Sequence, residues 1–494
     1  MIEDIVRQLA HERPEHVAVV DGQRSYTYLQ LNMSKENLAR HLATTLGIRE
    51  GEKIALFLPN SAEFVFSFFA NVQIGAISIP LNTHLKEIEL RYFLDKYGIS
   101  AVITTSDLAF RWGCIRSQIE KERLVVIDRL EGCGRDKGDF LKTEGERDQF
   151  KRADPDSEVL WLTTSGSTGR PKVVSRSQAN LINNAGHVAG ALRVTDQDRF
   201  LSVVPFYHAN GFANCMFLPI TRGATAVVMR QFSARKMIHL IRQEKVTIVF
   251  GSPFVFSVLS EAVDEGCHLP SVRFCLSTGA PMPEGLQNTF MKKFRMKIRQ
   301  LYGSSEAGTI SIQLEDLGED VHFLGKPLKN VEVKIVSETG EELPSTESGE
   351  IMVRSPALTK GYVQESELNE EAFHNGYFRT GDLGMLAGDG RLYISGRKKR
   401  VINAAGVKVD PVEIENVLVS FHKVREAFVF GVENRRGMEI IKAIVIAQPD
   451  CGVSEVISYC KDKLADYKIP RIVEFKEEIR RDIMGKVFPV NEEA

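Results

Sequence analysis

From residue 1 to about 310, apolar positions follow two alternating periods. Short β-branched or aromatic runs, apolar at nearly every position, alternate with longer stretches in which apolar residues recur every three or four places. Strands buried on both faces require the first pattern and crossover helices the second, so largely parallel, doubly wound α/β sheets are expected. Residues 159–163, 200–204, 224–229, 247–250 and 273–277 read as such strands. Between the first two, residues 177–192 bring Leu181, Ile182, Ala185, Val188, Ala189 and Leu192 onto one helical face. From Phe64 to Leu85 no residue is charged, a length that could cross a membrane. Asn71, Gln73, Gly75, Ser78 and Pro80 interrupt it, so it divides into a helix through Ile74 and a strand at 76–79, and no membrane span is expected. Between about 320 and 396 the pattern becomes β with turns, including 331–336, 350–355 and a hairpin around Gly388-Asp-Gly390, which suggests a small β-barrel. After Arg397-Lys-Lys-Arg400 comes a compact α+β tail, whose helix opens with Asp410 as cap, Pro411 in its first turn and Glu413 three residues after the cap. Ile414, Val417, Leu418 and Phe421 form its apolar stripe. The expected organisation is an N-terminal domain, 1–396, with sheet subdomains to about 320 and the barrel over 321–396, followed by a mobile domain, 397–494.

Length and charge narrow the function classes. The 494 residues exceed what one hydrophobic core usually serves, so more than one domain is expected. Sixty-three Lys and Arg against 65 Asp and Glu leave a formal charge of −2, which provides no bulk field for nucleic acid or anionic membrane. Function must come from local sites. Glu3, Asp4, Arg7 and Glu12 among the first thirteen residues fit neither a secretory signal nor a transit peptide, so a cytoplasmic location is expected. Seven cysteines with no C-x-x-C pair point to small buried hydrophobes. The His11 to His16 segment resembles a zinc motif only until its spacing is counted, and Pro14 breaks the helix such a site needs.

The most informative segment is Thr163-Thr-Ser-Gly-Ser-Thr-Gly-Arg-Pro-Lys172, directly after an expected strand. Small hydroxyl residues between and beside two glycines allow backbone N–H groups to converge on an anion, and Lys172 adds charge, so this is a phosphate cradle. It is not a Walker loop, because Arg-Pro rather than Lys follows the second glycine.

With this loop, the chain resembles the acyl-adenylate-forming superfamily of acyl- and aryl-CoA synthetases, luciferases and peptide-synthetase adenylation domains. Further motifs follow in that family's order: Gly279-Ala-Pro281, Gln300-Leu-Tyr-Gly-Ser-Ser-Glu306, Tyr377-Phe-Arg-Thr-Gly-Asp382, Gly396-Arg397 and Gly485-Lys486. The resemblance implies an ATP- and Mg²⁺-dependent acid–thiol ligase that forms an acyl-adenylate and transfers the acyl group to coenzyme A. It implies that Thr164, Ser165, Gly166, Ser167, Thr168, Gly169 and Lys172 hold phosphate. Gly279, Ala280, Pro281, Gln300, Tyr302, Gly303 and Ser305 would surround the nucleotide, with Tyr302 stacked on adenine. Glu306 suits Mg²⁺ on triphosphate oxygens, and Asp382 and Arg397 suit ribose, one accepting and the other donating. Lys486 would bridge the acid's carboxylate and the α-phosphate as their like charges approach. Lys399 is the implied hinge, and Ala405 and Gly406 the thiol channel.

Pro205-Phe-Tyr-His-Ala-Asn-Gly-Phe212 resembles the segment that gates the acyl tunnel, making His208 the gate and catalytic candidate, with Phe250, Ser277 and Gly303 as further acyl-pocket candidates. No acidic residue occurs between Phe200 and Arg230 to pair an ammonium, so an α-amino acid is disfavoured. Ala405 stands where luciferases carry a lysine, and Gln178 where the family often has histidine. The residues around His208, Phe250 and Ser277 fit a medium-chain or aryl acid and exclude no other, so the sequence leaves the acid open. Two alternatives stay open: a stand-alone adenylation enzyme loading a carrier protein's phosphopantetheine, and a non-catalytic nucleotide or acyl sensor.

Overall fold

The computed structural model describes residues 1–85, 87–111, 123–129, 154–164, 172–283, 285–315, 320, 322–398, 402–404, 407–409, 411–433, 439–464 and 466–479. Along the chain the strands are β1 Val17–Asp21, β2 Arg24–Thr27, β3 Lys53–Phe57, β4 Ile77–Pro80, β5 Ile99–Thr104, β6 Leu124–Val126, β7 Glu158–Thr164 and β8 Lys172–Ser177. There follow β9 Arg199–Ser202, β10 Thr225–Val228, β11 Ile248–Gly251, β12 Phe274–Ser277, β13 Ile298–Ser304, β14 Gly308–Ile312 and β15 Lys326–Pro327. The β-rich segment supplies β16 Glu332–Val336, β17 Gly349–Arg354, β18 Phe373–His374, β19 Tyr377–Leu386 and β20 Leu392–Arg397. The tail adds β21 Ile402–Ala404, β22 Val407–Val409, β23 Val424–Glu433, β24 Glu439–Ala447 and β25 Ile472–Phe475.

Two large sheets carry the N-terminal part. One has the order β15-β14-β13-β12-β11-β9-β10-β1-β2, the other β6-β5-β3-β4-β7-β8. The strands from β13 to β1 and from β6 to β7 run parallel, and antiparallel strands close both edges of the first sheet and the β8 edge of the second. In the first sheet the chain passes from β9 to β10 on one side, then crosses to β11 on the other. That reversal leaves a crevice beyond the carboxyl ends of β9 and β11, where open α/β sheets hold ligands. The opposite ends of these strands are pinned by charge. Asp198, buried just before β9, accepts from Arg273 Nη1 at 2.6 and 2.8 Å and from Thr247 Oγ1 at 2.7 Å, which ties the starts of β9, β11 and β12 together.

The uncharged stretch at 64–85 becomes the helix Ala62–Gln73 and strand β4. That helix is buried all round, which explains its lack of a polar face. Phe64 packs on Phe206 at 5.2 Å between centroids, Phe68 on Phe212 at 4.7 Å and Phe69 on Phe217 at 6.3 Å. Rings of this size each bury on the order of 150–250 Å², and here they form the floor beneath the segment carrying His208. Among the described residues no helix is long and apolar enough to cross a membrane.

Helix starts follow the sequence. Ser177 caps Gln178–Leu192, accepting from the Asn180 N–H at 3.2 Å, while the Asn180 side chain accepts from the Ser177 N–H at 3.1 Å. Pro411 begins Pro411–Val419, with Ile414 and Leu418 facing inward; Asp410 lies outside the described residues. The segment expected to form a small barrel is an antiparallel sheet, β16-β17-β19-β18, with β20 also on β19; among the described residues its pairings run in an open order. The tail's apolar residues, from Ile402 to Ile469, form a hydrophobic cluster separate from the one that runs through both large sheets. Of the described cysteines, 215, 275, 451 and 460 are buried, Cys267 is half-buried, and all are free thiols.

Candidate active site

The end of β13, the middle of β19 and the end of β20 meet in a three-residue interlock. Antiparallel pairing of β19 with β20 sets Asp382 opposite Arg397, and Arg397 Nε donates to Asp382 Oδ1 at 2.6 Å. Tyr302, from β13, donates its hydroxyl to Asp382 Oδ2 at 2.7 Å. Both carboxylate oxygens are therefore oriented, yet each keeps lone-pair capacity for a further donor such as a ribose hydroxyl. Burial and then the Asp382 charge push the Tyr302 phenol well above its ordinary value, so it remains a donor. Asp382 in turn raises the Arg397 guanidinium. Between Tyr302 and Gly303 the β13–β14 pairing shifts register. A Cβ on Gly303 would stand 2.3 Å from the Gly308 carbonyl oxygen, so only glycine fits this bulge. Gly279, just past β12, has φ +91°, which Ala280 and Pro281 follow at the crevice rim. Gln300 is buried and donates to the Phe323 carbonyl at 3.2 Å, bracing the loop before β15.

The loop expected to hold phosphate is flanked by the antiparallel pair β7 and β8. Thr164 and Lys172 are paired across β7 and β8, which places the ends of the intervening loop side by side; Ser165, Gly166, Ser167, Thr168 and Gly169 lie outside the described residues. Lys172 Nζ sits 5.2 Å from the centroid of the Tyr362 ring, a cation–π contact. Tyr362 donates its hydroxyl to Glu306 Oε1 at 2.8 Å. Four residues along β8 from Lys172, and so on the same face, Arg176 Nη1 donates to the carbonyls of Ser305 at 3.0 Å and Glu306 at 2.9 Å. Burial brings the Arg176 guanidinium down to about 10, opposed by the Glu306 charge, so it is cationic at neutral pH. Glu306 joins the hydroxyls of Ser304 and Ser305 in one turn. One carboxylate with neighbouring hydroxyls fits Mg²⁺, which is commonly held by one or two carboxylates plus substrate phosphates. Among the described residues no group of three or more His, Cys, Asp or Glu forms a metal cage.

The residues expected to line the acid pocket gather near the chain reversal of the first sheet. His208 follows β9, its N–H donating to the Pro205 carbonyl at 3.0 Å and its ring 4.6 Å from that of Tyr207. The turn is held from the second sheet by Asn60, whose Nδ2 donates to the Val204 carbonyl at 2.9 Å and whose Oδ1 accepts from the Phe206 N–H at 2.7 Å. The segment then enters a π-helical turn, Gly211–Phe217, a geometry frequent at functional sites. Ser277, at the end of β12, buries a hydroxyl without a hydrogen-bond partner. Phe250 is fully buried inside β11 with its ring stacked on Phe200 at 6.3 Å, so it packs the core under the crevice. Gln178 opens the helix after β8 and accepts from the Ile2 N–H at 3.0 Å, a clasp on the N-terminal helix.

Lys399, Ala405, Gly406 and Lys486 lie outside the described residues. Sequence reasoning passed over Arg176, Tyr362 and Asn60. Nothing local distinguishes Arg176, Tyr362 or Asn60: β8 reads Lys-Val-Val-Ser-Arg-Ser, so an arginine there breaks no apolar run.

The chain is similar to known proteins along its length. The AMP-binding enzyme family matches residues 6–363, and the AMP-binding enzyme C-terminal domain matches residues 413–486. The chain belongs to the AMP-binding enzyme family. A long-chain-fatty-acid–CoA ligase of Mycobacterium tuberculosis is 32% identical over 98% of this chain and 96% of the relative. A 2-succinylbenzoate–CoA ligase of Bacillus subtilis is 30% identical over 94% and 92%. The solved structure of o-succinylbenzoate coenzyme A synthetase from Bacillus subtilis, in complex with ATP and magnesium ion, superposes with a TM-score of 0.86 at 28% identity, covering 98% of both chains. This AMP-binding enzyme is an acid–thiol ligase: it activates a carboxylic acid on ATP, releasing pyrophosphate, and passes the acyl group to coenzyme A.

Proposed function

We propose that ATP lies across the carboxyl ends of the two large sheets, with its adenosine on Tyr302, Asp382 and Arg397 and its phosphates over the 164–172 hairpin. The carrying observation is the Tyr302–Asp382–Arg397 interlock, which presents oriented acceptors and a permanent cation within one crevice. Glu306 would hold Mg²⁺, which supplies charge neutralisation for the β- and γ-phosphates. The acid's carboxylate approaches the α-phosphorus from the His208 side. Lys486, from the tail, neutralises the charge that builds as oxygen and phosphorus close, and leaves when the tail turns about Lys399 to admit the thiol beside Ala405 and Gly406. These tail roles rest on the motif match, and we take the division between the two parts at 397–399.

We assign the acid to the medium-chain or aryl class. Tyr207 and His208, in ring contact after β9, and the Ser277 hydroxyl at the end of β12 supply polar groups near the chain reversal, which suits a flat or substituted acid better than a long bare chain. The relatives alone do not select, since one at 29% identity is a feruloyl-CoA synthase of Amycolatopsis and another at 32% acts on long-chain fatty acids. An ATP–pyrophosphate exchange screen across short, medium, long, aryl and dicarboxylic acids tests the assignment, and strict preference for long chains refutes it. Mass spectrometry with free coenzyme A separates acyl-CoA synthesis from carrier-protein loading. Lys486→Ala is expected to abolish acyl-AMP formation yet retain thiol transfer from supplied acyl-AMP; equal loss of both would remove Lys486 from the first step.

A further inference from the structure

Strand β8 leaves the phosphate loop at one end and braces the turn carrying Glu306 at the other. We propose that Tyr362 is a positioning residue for the Glu306 carboxylate and that, together with Arg176, it fixes that carboxylate to β8, the strand that begins at Lys172. The proposal rests on the reading of Glu306 as the Mg²⁺ ligand.

Four hydrogen bonds from three residues converge on this turn. Tyr362 orients the Glu306 side chain by donating to Oε1. Arg176 holds its main chain through the Ser305 and Glu306 carbonyls. The Thr359 N–H donates to the same Glu306 carbonyl at 2.8 Å. The segment carrying Thr359 and Tyr362 is itself laid on β8: the Val363 N–H donates to the Val173 carbonyl at 2.9 Å, Tyr362 bridges Val174, and the Thr359 hydroxyl donates to the Ser175 carbonyl. The arrangement is closed by Lys172, whose ammonium lies against the Tyr362 ring. A cation from the loop, an aromatic hydroxyl and a carboxylate thus form one line, Lys172 to Tyr362 to Glu306. A tyrosine needed only for packing on Phe373, 5.9 Å away, would have no use for a hydroxyl aimed at this carboxylate.

The arrangement decides what is lost when the hydroxyl goes. A free glutamate explores several rotamers, and ordering it falls on the metal-binding step. With Tyr362 in place, Oε1 is engaged and Oε2 is presented before the metal arrives. Groups that orient ligating carboxylates typically change metal affinity 10–100-fold when removed.

Tyr362→Phe keeps the ring, its packing and the Lys172 contact. With enzyme saturated by a non-hydrolysable ATP analogue, Mn²⁺ binding followed by the free-ion electron paramagnetic resonance signal is expected to weaken about tenfold. Thiol transfer from supplied acyl-AMP should fall less than twofold. Glu306→Gln is the calibrating variant. If Glu306→Gln weakens Mn²⁺ binding and Tyr362→Phe does not, positioning by Tyr362 is overturned while the reading of Glu306 stands. If neither variant alters Mn²⁺ binding, the reading of Glu306 fails and takes the proposal with it. Equal loss of both half-reactions in Tyr362→Phe, with a lowered melting temperature, makes the residue a packing element and also overturns the proposal.

Discussion

Gly211 is the position where a single added methyl group should separate binding of the acid from binding of the nucleotide. A Cβ built there lies 2.1 Å from the Pro205 carbonyl oxygen, 2.7 Å from the Pro205 carbonyl carbon and 2.8 Å from the Val204 carbonyl oxygen. The requirement is for space rather than for a left-handed backbone, and all three obstacles are main chain, so no side chain can swing aside. Real Cβ contacts essentially never fall below 3.0 Å, which forces the turn to retreat by nearly an ångström. The displaced carbonyls are the ones that hold His208 and Asn60: the Pro205 carbonyl accepts from the His208 N–H, and the Val204 carbonyl from Asn60 Nδ2. Overpacking of this kind costs about 1–3 kcal/mol, and weakening two buried hydrogen bonds adds roughly 1 kcal/mol each. Misplacing a substrate-positioning segment by 1 Å can lower turnover about 100-fold. For Gly211→Ala we therefore expect kcat/KM for the acid, measured by pyrophosphate exchange at saturating ATP, to fall by about two orders of magnitude. KM for ATP should stay within about twofold, because Tyr302, Asp382 and Arg397 belong to other strands. A variant with parental kcat/KM for the acid and an unshifted urea midpoint would refute the reasoning.

Two further predictions concern stability away from the crevice. Arg273→Met leaves the buried Asp198 carboxylate without its cation; because that guanidinium is 39% exposed, the cost is expected near the lower end of the usual range, about 3 kcal/mol. It should appear as a lower urea midpoint with unchanged KM for ATP, and a parental midpoint would remove the pin at the strand starts. Lys35 is buried in the helix Tyr28–Arg40, and desolvation brings its ammonium from 10.5 down to about 8. Between those values the unfolded chain binds a proton that the folded chain does not, so stability rises with pH across that window. Lys35→Met should therefore be more stable than the parent at pH 7, by on the order of 3 kcal/mol, with the advantage shrinking toward pH 10.5. Urea midpoints at pH 7 and 10 check this, and a pH-independent difference would contradict it.

Much of the fold follows from local rules. Strands, helix starts and the split of the uncharged stretch after Ile74 depend on periods of two and 3.6 and on capping residues, all of which act over a few neighbours. The candidate chemistry was legible for a related reason: Thr163 to Lys172, Gly303 to Glu306 and Asp382 lie in runs whose small or glycine residues serve backbone approach and leave little to packing. Phe250 shows the limit. Its neighbourhood in the chain marks it equally as a strand residue and a pocket residue, and only the stacking on Phe200 makes it core.

What the amino-acid order determined by itself is the set of elements and the inventory of reactive groups, because both are written in short-range spacing. The tertiary structure alone decided which groups act together. Tyr302 reaches Asp382 across 80 positions, Arg176 reaches the Glu306 carbonyl across 130, and Asn60 reaches Phe206 across 146. No period or motif encodes such pairs, since they arise where separate sheets come together and buried polar groups must find partners wherever packing puts them.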